Sequence, residues 1–249
     1  MRLDVRHLSY AVRGKPVLKD LSFRAEGKEI LGVIGPNGCG KSTLLAHLSR
    51  QISSRRAVFF DGLPAESIPR RRFARKTAVM MQQREAAAAD LLAEEVVLMG
   101  RYPYKERFLG YSAEDRKIAA AVMEETGAAA LLGKKVGEMS GGERQRVWIA
   151  KALAQQPELL LLDEPMNHLD VKYKIALMEE LKRFGGTVVI VLHDLSLAAR
   201  YCDRILLIRE GRLLAEGRTE EVMRTDTLAR LFEIPFYAAN HGGRHYIYY

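Results

Sequence analysis

The sequence predicts an α/β fold: a mainly parallel sheet, an antiparallel β subdomain near the N-terminus and an inserted α-helical subdomain. Three observations predict it. Short apolar runs at 30–34, 77–81, 159–162 and 187–192 end at polar or glycine-rich corners and are separated by longer helical stretches, as buried strands of a parallel sheet are. Residues 1–25 and 58–61 alternate apolar with polar positions and carry Gly or Pro turns, the pattern of an antiparallel sheet with one wet face. From 84 to 139 such runs vanish and Ala, Glu, Leu and Lys dominate, with helix-prone patches at 86–89 and 128–130.

Taken in order, the antiparallel opening leads to the strand at 30–34, and Leu44, Leu45 and Leu48 start a helix after it. The basic run from Pro69 to Lys76 reads as the solvated face of a short helix, because no aromatic side chains interleave with its cations. A helix spans 143–154, and a hairpin is expected at 205–215 around Glu210-Gly211-Arg212. A helix at 220–232 follows. The tail at 241–249 is rich in His and Tyr, and its histidines lack a nearby acidic or Cys ligand, so they read as free polar side chains. The 249 residues form one domain, its α/β core at 1–83 and 140–249 and its helical subdomain at 84–139.

Composition narrows the classes. A hydrophobic content of 48% supports a buried core and excludes intrinsic disorder. Cys39 and Cys202 cannot form a disulfide framework, and no CxxC or Cys/His cluster offers a zinc site, so a reducing compartment fits. No apolar run approaches the ~20 residues that span a bilayer, so the chain reads as neither secreted nor membrane-embedded. The 39 Lys and Arg against 31 Asp and Glu leave a charge of +8, which suits phosphate polyanions or a membrane surface without choosing between them.

Chemistry begins at Gly35-Pro36-Asn37-Gly38-Cys39-Gly40-Lys41-Ser42-Thr43, a GxxxxGK[ST] sequence between a strand and a helix. Its glycines let backbone N–H groups wrap around phosphates, and the helix N-terminus adds positive charge. Lys41 then reaches the β- and γ-phosphates and Ser42 offers its hydroxyl to Mg²⁺. Cys39 reads as a small filler, since nucleotide chemistry does not need its thiol.

The strand at 159–162 ends in Asp163 and Glu164, charges that must meet a cation or water. Successive strand residues point to different sides, so Asp163 can orient Mg²⁺ while Glu164 polarises the attacking water. The runs at 187–192 and 77–81 deliver His193 and Gln82 at strand ends, where open α/β sheets bind ligands.

Met139-Ser140-Gly141-Gly142-Glu143-Arg144-Gln145-Arg146 resembles the signature sequence of ATP-binding-cassette (ABC) ATPases. With the phosphate loop, Gln82, Asp163, Glu164, Asn167-His168-Leu169-Asp170 and His193 in the expected order, the resemblance covers nearly the whole chain and implies the P-loop NTPase, RecA-like core of that family. It implies that Tyr10 stacks on adenine, that Gln82 touches Mg²⁺ or water and senses a membrane partner, and that His193 holds the γ-phosphate. Gln83, beside Gln82, shares that position's claim. Asp170 is implied to communicate between subunits, while Ser140, Gly141, Gly142 and Glu143 serve the nucleotide of a second copy. An ATP-sandwich dimer closing over two ATP molecules follows from that.

A narrower resemblance rests on Met99-Gly100-Arg101-Tyr102-Pro103-Tyr104 and the helix after Ser140, which are similar to importer ATPases for iron-siderophore, haem or cobalamin complexes. It implies permease subunits as partners, a substrate-binding protein acting indirectly, and a peripheral place on the cytoplasmic face of the cell membrane. Met166, where Thr is common, departs from the pattern. Two alternatives are a soluble ABC ATPase acting on nucleic acid or in translation, and an importer ATPase for another nutrient. The first lacks coiled-coil, zinc or second-cassette features here, and no nucleic-acid partner is expected. A P-loop kinase would use Lys41 and Asp163 but would leave the signature, Asp170 and His193 without a role.

Overall fold

The computed structural model describes residues 1–81, 88–106, 109–167, 169–241 and 244–248. Along the chain, β1 (Leu3–Val12), β2 (Lys15–Ala25), β3 (Ile30–Ile34), α1 (Lys41–Leu48), β4 (Val58–Phe60) and β5 (Leu63–Pro64) come first. Next are α2 (Arg70–Lys76), β6 (Thr77–Met80), α3 (Ala93–Leu98), α4 (Ala113–Glu125), α5 (Gly141–Ala154), β7 (Leu159–Asp163) and α6 (Val171–Arg183). The chain then runs through β8 (Thr187–Val191), α7 (Leu195–Tyr201), β9 (Arg204–Arg209), β10 (Arg212–Arg218), α8 (Thr219–Val222) and α9 (Thr225–Phe232). It closes with β11 (Tyr237–His241) and β12 (Arg244–Tyr248).

Two compact units result: Met1–Ile68 with Phe184–Tyr249, and Pro69–Arg183. In the first, β2-β1-β4-β5 form the expected antiparallel sheet, and β10-β9-β3-β8 lie side by side with β3 parallel to both β8 and β9. Every residue of β3 and β8 is buried. That burial explains why these strands read as unbroken apolar runs rather than alternating ones.

In the second unit, β6 runs parallel to β7. Ala93, Val96, Val97, Val122, Met123, Leu131 and Val136 gather with Val147, Ala150 and Ala154 of α5 in one apolar cluster. The helical elements between β6 and α5 are therefore built around α5.

Among the described residues near the C-terminus, β11 and β12 pair antiparallel and the Tyr237 and Tyr248 rings stack with centroids 5.7 Å apart. The helix expected at 220–232 is two helices, since Met223 and Arg224 leave helical geometry between α8 and α9. That break lets Met223, Leu228 and Leu231 all be buried. The basic run forms α2 as expected, yet its face is not simply solvated. Arg71 donates from Nε to Pro103 O at 3.0 Å and from Nη2 to Lys105 O at 2.8 Å, while Arg75 Nε also donates to Pro103 O at 3.0 Å.

Candidate nucleotide-binding site

In the first unit, strand register places two predicted residues at one edge. Val33 pairs with Val191 in the parallel β3–β8 ladder, so Gly35 and His193 each lie two residues beyond a paired position. His193 is exposed there, just ahead of α7.

Close packing accounts for the loop's glycines. A Cβ on Gly35 would lie 2.1 Å from Ile208 O, a backbone atom that cannot swing aside. Gly40 caps α1 at φ +108°, a conformation that a side chain would strain. Behind the loop, Gly211 N donates to Cys39 O at 3.1 Å, so the β9–β10 turn backs the phosphate loop.

The loop is electrostatically poised for an anion. No side chain caps α1 and no acid lies in its first turn, which leaves that helix end's N–H groups and partial positive charge to a ligand. Lys41 is 5% exposed and its Nζ donates to Gly35 O at 2.7 Å and Pro36 O at 3.0 Å, which holds the ammonium inside the loop with a third proton to give. Burial pushes the Cys39 thiol up against the pull of Lys41, so it stays protonated and agrees with the filler reading. Ser42 is exposed at the start of α1. On β1, half-buried Tyr10 meets the ring of His47 edge-on, centroids 4.7 Å apart at 76°. His47, on α1 and 1% exposed, was not legible as part of this site.

In the second unit, Met80 pairs with Leu162 in the β6–β7 ladder. Gln82, with Gln83, lies outside the described residues, as does His168 of the Asn167 to Asp170 segment. Asp163 closes the wholly buried β7 and is 3% exposed, while Glu164 is half-buried. Glu164 takes φ +50°, uncommon for a non-glycine residue, and Asn167 Nδ2 donates to its Oε2 at 2.7 Å. Gln145 of α5 donates to Pro165 O, tying α5 to the chain that carries Glu164. Neither Asn167 nor Gln145 was singled out for its contact, because both partners are set by the fold.

The helix after Ser140 begins two residues earlier than expected, at Gly141, and opens on a capping box. Ser140 Oγ accepts from Glu143 N at 3.3 Å, and Glu143 Oε2 accepts from Ser140 N at 2.7 Å. Lys134 Nζ donates to both Glu143 oxygens at 3.0 and 2.9 Å, and this partner first, then the box, lowers the Glu143 carboxyl to about 2. Ser140 is exposed. Asp170, also exposed, accepts from Tyr173 N at 3.0 Å and so caps α6.

In the first unit Ser42 carries an exposed hydroxyl and in the second Asp163 carries a carboxylate, each by itself a hard oxygen donor of the kind Mg²⁺ takes.

The sequence matches the family model for ABC transporters over residues 18–167. The iron(3+)-hydroxamate import ATP-binding protein FhuC of Bacillus subtilis is 37% identical over 237 residues, covering 93% of this chain and 88% of that protein. The ferric enterobactin transport ATP-binding protein FepC of Escherichia coli is 36% identical, with 93% and 87% covered. The hemin import ATP-binding protein HmuV of Pseudomonas fluorescens is 39% identical, with 92% of each covered. A chain of an inward-facing ABC transporter structure superposes with TM-score 0.83 at 24% identity over 99% of this chain and 95% of that one, a likeness of fold. The ATP-binding subunit of another ABC transporter gives TM-score 0.77 at 28% identity, with 92% and 94% covered.

Proposed function

Because this chain belongs to the ABC transporter family, we propose that it is the ATP-binding, ATP-hydrolysing subunit of an importer that takes up a metal chelate. The phosphate loop carries the ATPase part of this reading: an uncapped helix start, a buried Lys41 held inside the loop, and a Gly35 that admits no side chain. The relatives named for hydroxamate, enterobactin and hemin uptake support ferric siderophore or haem as cargo. Cobalamin belongs to the same reading as a chelate of the same class.

The residue roles follow from chemistry. Backbone N–H groups at the α1 start and Lys41 bind the triphosphate, and Tyr10 offers its ring to adenine. Ser42, Asp163 and Gln82 are the residues that would hold Mg²⁺, which would supply charge neutralisation to the phosphates when bound. Glu164 orients and polarises the attacking water, and His193 holds the γ-phosphate. Asn167, bonded to Glu164, keeps that carboxylate from turning away.

Ser140, Gly141 and Gly142 serve the nucleotide of a second copy, and Asp170 communicates across that dimer. The exposure of Ser140 and of Asp170, with Val171 next to Asp170 at 71% exposed, supports this. Met99 and Tyr102, at 41 and 70% exposed on either side of buried Gly100 and Arg101, offer apolar side chains to a permease segment. No helix among the described residues is long and apolar enough to cross a membrane. The relatives named as import ATP-binding proteins support a reading in which permease subunits form the pore and this chain is peripheral on the cytoplasmic face.

Vesicles carrying this chain and its permease test the reading with labelled ferric siderophore, haem and cobalamin in turn. ATP-dependent uptake of one of them is expected. ATP hydrolysis with uptake of none places the cargo in another class.

A further inference from the structure

We infer that Arg101 is a positioning residue for ATP turnover, fixing the far end of α5 to the turn that presents Met99 and Tyr102; this rests on the importer reading above. Arg101 is 5% exposed, and its guanidinium makes three bonds to three places. Its Nε donates to Asp115 Oδ1 at 2.9 Å, and its Nη1 donates to Ala154 O at 2.9 Å and to Gln156 Oε1 at 3.0 Å. The same group lies 4.0 Å from the centre of the Tyr104 ring. Asp115 stands in the first turn of α4, and its other oxygen accepts from Ser112 N at 3.0 Å and Ser112 Oγ at 2.8 Å.

One side chain thus joins the end of α5, the start of α4 and the turn at Met99–Arg101. A buried ion pair adds little net stability over apolar packing of the same volume, but the planar fork of Arg accepts a narrow geometry. It fixes where α5 sits. Contact next to it is equally tight, since a Cβ on Gly100 would come within 2.2 Å of Lys151 O. Flanking these two buried residues, Met99 and Tyr102 face outward. A push on them therefore passes through Gly100 and Arg101 into α5, a 14-residue rod whose other end is the Ser140 turn.

The test uses the complete importer in liposomes and compares wild type with Arg101→Lys, which keeps the charge and loses the fork, and with Asp115→Asn. For both, kcat of cargo-stimulated ATP hydrolysis is expected to fall about tenfold, because small misplacement of a catalytic turn is costly. The KM for ATP and direct binding of a labelled ATP analogue should stay within about twofold. A kcat unchanged within about twofold overturns the inference. So does a loss of kcat matched by loss of ATP binding or by unfolding at the assay temperature, since Arg101 then only holds the fold. Tyr104→Leu keeps all three Arg101 bonds and removes the ring beneath them, and it should give a smaller fall in the same quantity. A wild-type complex that hydrolyses no ATP overturns the importer reading, and the inference with it.

Discussion

Glu164 concentrates the residue-scale argument, because its left-handed backbone and its bond from Asn167 aim one carboxylate at the end of a buried strand. Glu164→Gln should lower ATP hydrolysis about 10²–10⁴-fold with ATP binding retained, as loss of a general base does; phosphate release and analogue binding measure the two. Gly35→Ala forces a methyl onto Ile208 O, and chemical denaturation should show a loss of about 1–3 kcal/mol with weakened nucleotide binding. His47 adds a pH effect. Burial lowers its pKa, so the unfolded chain takes up a proton near pH 6.5 while the folded chain resists. Stability is complete above that value and falls as the pH drops below it. Melting curves at pH 7.5 and 5.5 should show the loss, and His47→Leu should reduce it. The motif residues were legible because phosphate chemistry demands fixed spacing along one segment. His47, Gln145 and Asn167 act through partners that no local spacing reveals.

At the scale of elements, α5 carries its own start signal. Ser140→Ala removes half the capping box and should cost about 1 kcal/mol by denaturant melting. Glu143, with its carboxyl lowered to about 2 chiefly by Lys134, contributes stability that is complete above about pH 4.5 and lost as pH falls toward 2. Acid titration of a Glu143→Gln variant should lack that component. Strand positions were legible wherever a strand is buried on both faces, because apolar side chains then fill most of its positions. The β11–β12 hairpin escaped notice although Gly242-Gly243 is a turn signal, because its residues are mostly polar and aromatic and carry no alternation. The break between α8 and α9 escaped as well. Periodicity continues through 220–232, whereas the backbone leaves helical geometry at Met223 and Arg224, with Met223 buried.

For the whole molecule, the +8 charge now has partial locations: Lys41 sits inside the phosphate loop, and Arg71 and Arg75 grip the carbonyls of 103–105. The remaining positive surface suits an anionic bilayer, and duplex DNA should leave ATP turnover unchanged. Glu164→Gln with ATP and Mg²⁺ should elute from a sizing column as a dimer and return to monomer when ATP is removed; a persistent monomer counts against a nucleotide shared between two copies. By itself the sequence determined the fold class, the phosphate loop, the strand-end acids and the signature turn. Each depends on short-range spacing or on uniform burial, and both are written along the chain. Tertiary structure alone decided that Arg101 joins α4 to α5, that Gln145 reaches Pro165, that Tyr10 rests on His47 and that Lys134 holds Glu143. Three of these pairings link residues from 14 to 53 positions apart, and hydrogen-bond and packing geometry at such separations exists only once the chain has folded.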